Sequence, residues 1–351
     1  MIARRILPAP VMGLCVKCKA VEGSIDIRFA VYCGPCFQEA TYHKYRTAVS
    51  KCWPERTRPA ALVFLETHQA QLTLASRCLL HFTQLPHTED PQRKGITCWT
   101  AVIPVKSLSE VESIAELKNT LLQLYPDLNG VYFLPLAAVF SESLPLCTGA
   151  TDMLSLPWDR LVTLQSTGSS TAQQDLATIL WRRLLLRLLK IVNLQKVFLP
   201  ISSTANAIEA ISSVSKGRGQ AACFQSAFVM SYPDDMQLLK PLRDISDREI
   251  NFYTDLAFSS GPVPTPKAVI PTSIDDLTTR FINGLENDFP GTSSTVLRTV
   301  DKIPIRKSEC RCPLCLEPHS DDRLCLPCNA ILKEMTGATG PAALDSLKFY
   351  L

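Results

Sequence analysis

Apolar and polar positions along the chain switch repeatedly between two periods. Residues 61–65 (A-L-V-F-L) form an unbroken apolar run. Polar Glu66-Thr67-His68-Gln69 follows, and then Leu72, Leu74, Ala75, Leu79 and Leu80 recur at helical spacing. A short apolar run feeding a helical period reads as a buried strand entering a helix. The succession returns downstream. Strands are predicted over 97–105, 130–136 and 196–200, and helices over 109–125, 172–193, 205–214 and 273–289. Ser109 with Glu112, and Ser273 with Asp276, stand at the capping-box spacing. Residues 163–175 are a Ser/Thr/Gly/Gln-rich loop, and the proline-rich 262–271 reads as an extended connection. Repeated strand–helix units predict an α/β fold, a parallel sheet with helices on both faces.

The first strand-to-helix turn carries the functional question. In an open α/β sheet, a nucleotide phosphate sits at such a turn, on free backbone N–H groups. Glycine lets the backbone approach the phosphate closely. Here the turn has no glycine and places the carboxylate of Glu66 where an anion would dock.

Composition adds bounds. The 351 residues are 46% hydrophobic and 20% charged, an ordinary globular balance. The most apolar stretch, 179–192, carries Arg182, Arg183, Arg187 and Lys190, so no membrane span is predicted. The opening M-I-A-R-R-I-L-P has no apolar h-region, so no secretory signal is expected. The net charge is +3, unevenly spread: residues 1–58 hold ten Lys/Arg against four Asp/Glu. A basic end suggests contact with a polyanion, and a merely solvated basic surface fits equally.

Nine of the fourteen cysteines gather at the two ends. Cys15 and Cys18 precede Cys33 and Cys36; Cys312 and Cys315 precede Cys325 and Cys328. Paired CxxC knuckles across a short loop offer four thiolates, the ligand set of structural zinc. Two zinc sites are therefore expected, with an iron–sulfur cluster as the alternative four-thiolate occupant. Gly34 suits a tight turn after Cys33. Cys310 is spare, a free thiol or an alternative to Cys312, and His319 is read as a loop residue. A closed four-ligand shell supports folding and docking, not metal catalysis. Cys52, Cys78, Cys98, Cys147 and Cys223 lie scattered among apolar neighbours and read as buried small hydrophobes.

Six cations are candidates for RNA phosphate contact: Lys44 and Arg46 beside Tyr42 and Tyr45 after the first knuckle, Arg183 and Arg187 on the long helix, and Lys216 and Arg218 in K-G-R-G. Solvated helix faces are the competing reading. No GxSxG, HExxH, GxxxxGK or GxGxxG occurs, and the five histidines suggest no triad, so no catalytic residue is assigned.

Several segments then fall into a familiar order: C-V-K-C-K (15–19), Y-C-G-P-C-F (32–37), H-K-Y-R (43–46), G-R-G (217–219), K-P-L-R-D (240–244), E-I-N-F-Y (249–253), F-P-G-T-S-S-T-V-L-R-T (289–299) and the terminal C-P-L-C…C-L-P-C. Together they closely resemble the cytoplasmic tRNA 2-thiolation protein 2 family. That family is similar to the PP-loop, or N-type ATP pyrophosphatase, tRNA thiolases. The resemblance implies a PP-loop α/β core, with a degenerate loop, between zinc-ribbon-like knuckles. The units would be 1–58, 59–305 and 306–351. It implies a cytoplasmic, non-catalytic subunit that forms a heterodimer with a catalytic PP-loop thiolase. Their tRNA product would carry 5-methoxycarbonylmethyl-2-thiouridine at the wobble position of tRNA Lys, Gln and Glu, with sulfur from a ubiquitin-like carrier. The family's SGGxDS-like phosphate loop should fall at 66–72, where no glycine or serine stands. The second nucleotide-side block, 199–205, lacks an acidic residue for magnesium, and Cys98, Cys147 and Cys223 form no convincing cluster. ATP is therefore not expected on this chain. The alternatives are an active ATP-dependent tRNA thiolase and a zinc-ribbon adaptor with no tRNA role.

Overall fold

The computed structural model describes residues 13–28, 30–55, 58–85, 96–258, 271–304, 310–321 and 323–336. The expected extended connection 262–271 lies almost wholly outside the described residues, as does the boundary at 306.

The strands, in chain order, are β1 (Ile25–Ile27), β2 (Ala30–Tyr32), β3 (Ala60–Phe64), β4 (Thr67–His68), β5 (Gln71–Leu72), β6 (Cys98–Val105), β7 (Leu128–Pro135), β8 (Lys196–Phe198), β9 (Val229–Ser231) and β10 (Gln237–Leu239). One six-stranded sheet runs in the order β7-β6-β3-β8-β10-β9. Its neighbours are parallel except for the antiparallel pair β10/β9. Ala101, Val102, Ile103 and Val105 are all fully buried. Successive strand residues point to opposite faces, so both faces of the sheet are covered there. That is why 98–105 reads as an apolar run broken only by Thr100.

The helical expectations fall on Leu74–Gln84, Val111–Leu124, Ser170–Ile191, Ser203–Ser215 and Ile274–Asp288. Thr73, Ser169, Ser202 and Ser273 cap four of them, each accepting a backbone N–H with its hydroxyl. The expected Ser109–Glu112 box is not formed. A 3-10 turn, Leu108–Glu110, occupies that position, and the side chain of Glu110 accepts the N–H of Lys106 at 3.0 Å. The β9–β10 hairpin has no counterpart among the expected elements. Its turn, P-D-D, puts Asp234 and Asp235 at φ of +60° and +56°, a conformation aspartate tolerates better than most residues.

Chain order sets the site. From β3 the chain crosses to β6 and β7, then returns to β8 on the other side of β3. The carboxyl ends of β3 and β8 therefore flank the switch point, where ligands of open α/β sheets bind. One apolar cluster runs through the sheet and both terminal knuckles, including Ile25, Phe37 and Val49 at one end and Leu314 and Leu332 at the other.

Candidate metal centres and the sheet switch point

The two knuckles share one construction. In the first, Lys19 takes φ of +54° and its N–H bonds the carbonyl of Cys15 at 2.8 Å. In the second, Leu316 takes φ of +61° and bonds Cys312 at 2.9 Å. Each closing CxxC opens a helix. Cys33 is the N-cap of Gly34–Cys52, with Pro35 in the first turn, and Cys325 precedes Leu326–Thr336. Gly34 itself is not conformationally required: it is outside the left-handed region, and a Cβ there would meet Leu256 at an ordinary 3.6 Å.

The sulfurs of Cys15, Cys18, Cys33 and Cys36 converge, as do those of Cys312, Cys315, Cys325 and Cys328, each set lying within 4.8 Å. Cys18 and Cys33 are 3.9 Å apart, and so are Cys315 and Cys325. A tetrahedron of sulfurs about 2.3 Å from a central zinc has edges of about 3.8 Å, so both sets fit one ion. Burial opposes ionisation of Cys15, but the N–H groups of Cys18, Cys33 and Lys17 outweigh it and hold the thiol at about 6. Hydrogen bonding to Cys33, then burial, pushes Cys36 up to about 12. In the C-terminal set, hydrogen bonding among the sulfurs lowers Cys312 and raises Cys315. Among the described residues, His, Cys, Asp and Glu groups of three or more converge in this way only in these two sets. Cys310 stays outside its set, its carbonyl accepting the N–H of His319 at 3.0 Å, and the His319 Nδ1 faces Asp321.

The candidate RNA cations sit in three places. Arg183, Lys216 and Arg218 gather around the C-terminal knuckle. Arg183 donates to the carbonyls of Pro313 (2.8 Å) and Leu314 (3.0 Å). Lys216 pairs with Asp275 at 2.9 Å and Asp175 at 3.4 Å. Arg218 is buried, its Nη2 at 2.9 Å from Asp175. Arg187, further along the long helix, bonds the carbonyls of Ser141 and Glu142. Lys44 pairs with buried Glu249, and the Arg46 guanidinium lies 5.3 Å over the Tyr42 ring. Tyr45, which stands beside these cations in the sequence, is fully buried against Phe82, with centroids 4.9 Å apart.

Sequence reasoning missed the charges most deeply engaged. Arg182 bonds Glu317 at 2.8 Å and lies 3.8 Å from Glu209. Lys240 is fully buried and donates to Asn206 (2.8 Å), Glu209 (2.8 Å) and the carbonyl of Gln225 (2.5 Å), using all three ammonium protons. The available signal was Arg182 standing among leucines in 179–192.

At the switch point, β4 and β5 form a small hairpin after β3. Gln69 and Ala70 make its turn at φ of +50° and +58°, where glycine is the usual residue. The Glu66 carbonyl accepts Thr73 N–H (3.0 Å) and Ser76 Oγ (3.0 Å), and Lys106 Nζ donates to the Thr67 carbonyl at 3.3 Å. After β8, Ser202 donates to Asp247 Oδ1 at 2.5 Å, and the N–H of Asp247 bonds Thr204 Oγ1. A carboxylate therefore does reach this block, from another helix, and an oxygen of it is taken by Ser202. The Glu66 carbonyl, Ser202, Thr204 and Asp247 are thus bonded within the protein, while the buried Ser203 hydroxyl beside them has no partner.

A doubly wound, mostly parallel sheet set between two four-cysteine knuckles defines the class: an open-sheet α/β protein. The U34-tRNA thiolase NcsA from Methanococcus maripaludis, solved with its 4Fe-4S cluster, has the same fold, with a TM-score of 0.59, 15% identity, and coverage of 87% of this chain and 92% of that one. The profile of the family cytoplasmic tRNA 2-thiolation protein 2 matches residues 273–338. Relatives of that name are 34% identical over 160 residues in Xenopus laevis (the 2-A protein), 27% over 301 in Drosophila erecta and 27% over 354 in Danio rerio. These alignments cover 42%, 84% and 84% of this chain. They span 31% of the Xenopus relative's length, 73% of the Drosophila one and 68% of the Danio one. The chain is therefore similar to the cytoplasmic tRNA 2-thiolation protein 2 family.

Proposed function

We propose that this chain is a non-catalytic, cytoplasmic subunit of a tRNA thiolation complex. It forms a heterodimer with a catalytic PP-loop subunit that 2-thiolates the wobble uridine of tRNA Lys, Gln and Glu, with sulfur from a ubiquitin-like carrier. Residues 1–58 and 306–351 form zinc knuckles on either side of the 59–305 core. Zinc is favoured because each set's sulfurs lie within 4.8 Å, close enough to share one ion. A cubane cluster divides its four thiolates among four irons, which holds them further apart.

The observation that carries the non-catalytic reading is the glycine-free hairpin at 67–72, which occupies the strand-to-helix turn where a PP-loop enzyme holds ATP. Each charge-assisted N–H bond to phosphate is worth about 1.5–3 kcal/mol, so the want of several together abolishes useful affinity. Calorimetric titration of the isolated chain with ATP and magnesium is expected to give no heat of binding. Micromolar affinity would restore the active-thiolase reading.

RNA contact is best carried by the helix Gly34–Cys52. Lys44 retains 38% side-chain exposure, whereas Arg218 retains 2%. A Lys44→Ala, Arg46→Ala variant in the reconstituted heterodimer is expected to weaken binding to all substrate tRNAs alike. It should also reduce the slope of log affinity against log salt by about one unit for each phosphate no longer neutralised. Wobble-base choice should not change. Unchanged affinity and slope in an intact heterodimer would remove this helix from the RNA surface.

A further inference from the structure

The two metal centres share a ligand set but not a setting. In the N-terminal set Cys18 is exposed, and nearby Lys17 turns away to pair with Glu39 at 2.6 Å. Among the described residues, no lysine or arginine side chain donates to a sulfur of that set. In the C-terminal set the Arg218 guanidinium lies against the thiolates: Nη1 is 3.5 Å from Cys328 Sγ and 3.7 Å from Cys325 Sγ, and Nη2 is 3.5 Å from Cys328 Sγ. Asp175 grips the guanidinium from its other side, through Nε at 3.1 Å and Nη2 at 2.9 Å, and Glu317 Oε2 lies 3.6 Å from Nη1. Arg218 is 4% exposed, so water does not screen these contacts.

We propose that Arg218 is the outer-sphere cation of the C-terminal four-thiolate metal site, so that this chain holds two zinc ions with unequal strength. This rests on the reading of both cysteine sets as zinc sites. Four thiolates around one divalent ion leave two negative charges in excess. Charged N–H···S bonds from a fixed guanidinium offset that excess and orient the sulfur lone pairs of Cys328 and Cys325 toward the ion. Arg218–thiolate–metal is the charge-reversed counterpart of the carboxylate–histidine–zinc arrangement, with a donor cation in place of the acceptor carboxylate, and Asp175 holds that cation in place. Arg218 is a positioning residue and does not ligate the ion. The N-terminal site in the same molecule, with an exposed ligand and no such cation, is its internal control.

The test uses the full chain loaded with zinc and challenged with a chromogenic chelator. The wild type is expected to release its metal in two phases of about one equivalent each, with the fast phase lost in Cys15→Ser. In Arg218→Met the slow phase should give way, with a loss of about 10–100-fold in C-terminal metal affinity, the usual range for outer-shell partners, while the fast phase is unchanged. Arg218→Lys keeps the charge but cannot bridge two sulfurs, and should fall between. Cobalt substitution adds a signature that packing alone would not move. Loss of the N–H···S bonds should shift the sulfur-to-cobalt charge-transfer band of the C-terminal site. Single-phase release from the wild type, or wild-type release and an unshifted band in folded Arg218→Met and Arg218→Lys, overturns the proposal. Failure of the C-terminal set to take up any metal overturns it together with the zinc reading.

Discussion

Cys312→Ser is expected to remove about one of two bound zinc equivalents and to destabilise the whole core, not only the knuckle. The physical reason is the continuity of the apolar cluster. Leu314, inside the first CxxC, and Leu332, on the helix that the second CxxC opens, are both fully buried in the cluster that includes the sheet. Without the ion, the left-handed turn at Leu316 keeps only its hydrogen bonds, and the chain reversal between Cys312 and Cys315 loses its template. Each fully buried leucine contributes about 1.5–3 kcal/mol, so withdrawal of these two alone predicts a loss of roughly 3–6 kcal/mol. Cys15→Ser should behave in parallel at the other end, where Ile25, Ile27 and Phe37 enter the same cluster. Elemental analysis and urea denaturation measure the two effects together. Retention of both equivalents by Cys312→Ser, or an unchanged denaturation midpoint, would dismiss the set as a metal site. Iron in place of zinc after anaerobic purification would replace the metal assignment.

The strands and most helix starts were legible because one physical pattern governed each. A strand covered on both faces is apolar almost throughout: 61–65 is wholly so, and 98–105 is except for Thr100. Ser273 announces its helix through the hydroxyl that satisfies an otherwise open N–H; Thr73, Ser169 and Ser202 cap their helices in the same way but were not read as caps from the sequence. The cysteine sets were legible from spacing alone, since a CxxC turn brings two sulfurs to one point. Ser109 misled because it lies inside the 3-10 turn Leu108–Glu110, with its hydroxyl 2.9 Å from that of Ser107. The basic residues were harder to read. A cation in a sequence looks the same whether it meets water, a phosphate or the inside of its own fold. Lys216 and Arg218 find Asp175, 41 and 43 residues away along the chain, and Arg183 finds carbonyls 130 residues away. No local pattern encodes those distances. The hairpin at 67–72 reads only as a polar turn because Gln-Ala is an unusual occupant of two left-handed positions. Its lack of glycine nevertheless marks the turn as a poor cradle for phosphate.

Arg182→Met is expected to destabilise the fold by about 3–5 kcal/mol, the scale of breaking one partner out of a buried ion pair. Arg182 is 7% exposed and Glu317 is 3% exposed, so water cannot solvate a carboxylate left behind. The surrounding charges balance: Arg182, Arg218 and Lys240 face Glu209, Glu317 and Asp175 at 3.8 Å or less. Removing one cation leaves Glu317 with the more distant Arg218 and the amide of Gln225. Methionine fills the space of the arginine stem among the leucines, so the measured loss is electrostatic and not a cavity. Glu317 lies two residues beyond Cys315, and its backbone carbonyl accepts the N–H of Cys312 at 3.0 Å, so the pair also seats the C-terminal knuckle on the long helix. In the double variant Arg182→Met, Glu317→Gln the unpaired charge disappears, and the total loss should fall below the sum of the single losses by about 1–3 kcal/mol. Urea denaturation of the wild type, both single variants and the double variant closes the cycle. A single-variant loss below about 1 kcal/mol, the worth of an exposed pair, would mean that the knuckle is seated by its metal and its leucines without help from this charge.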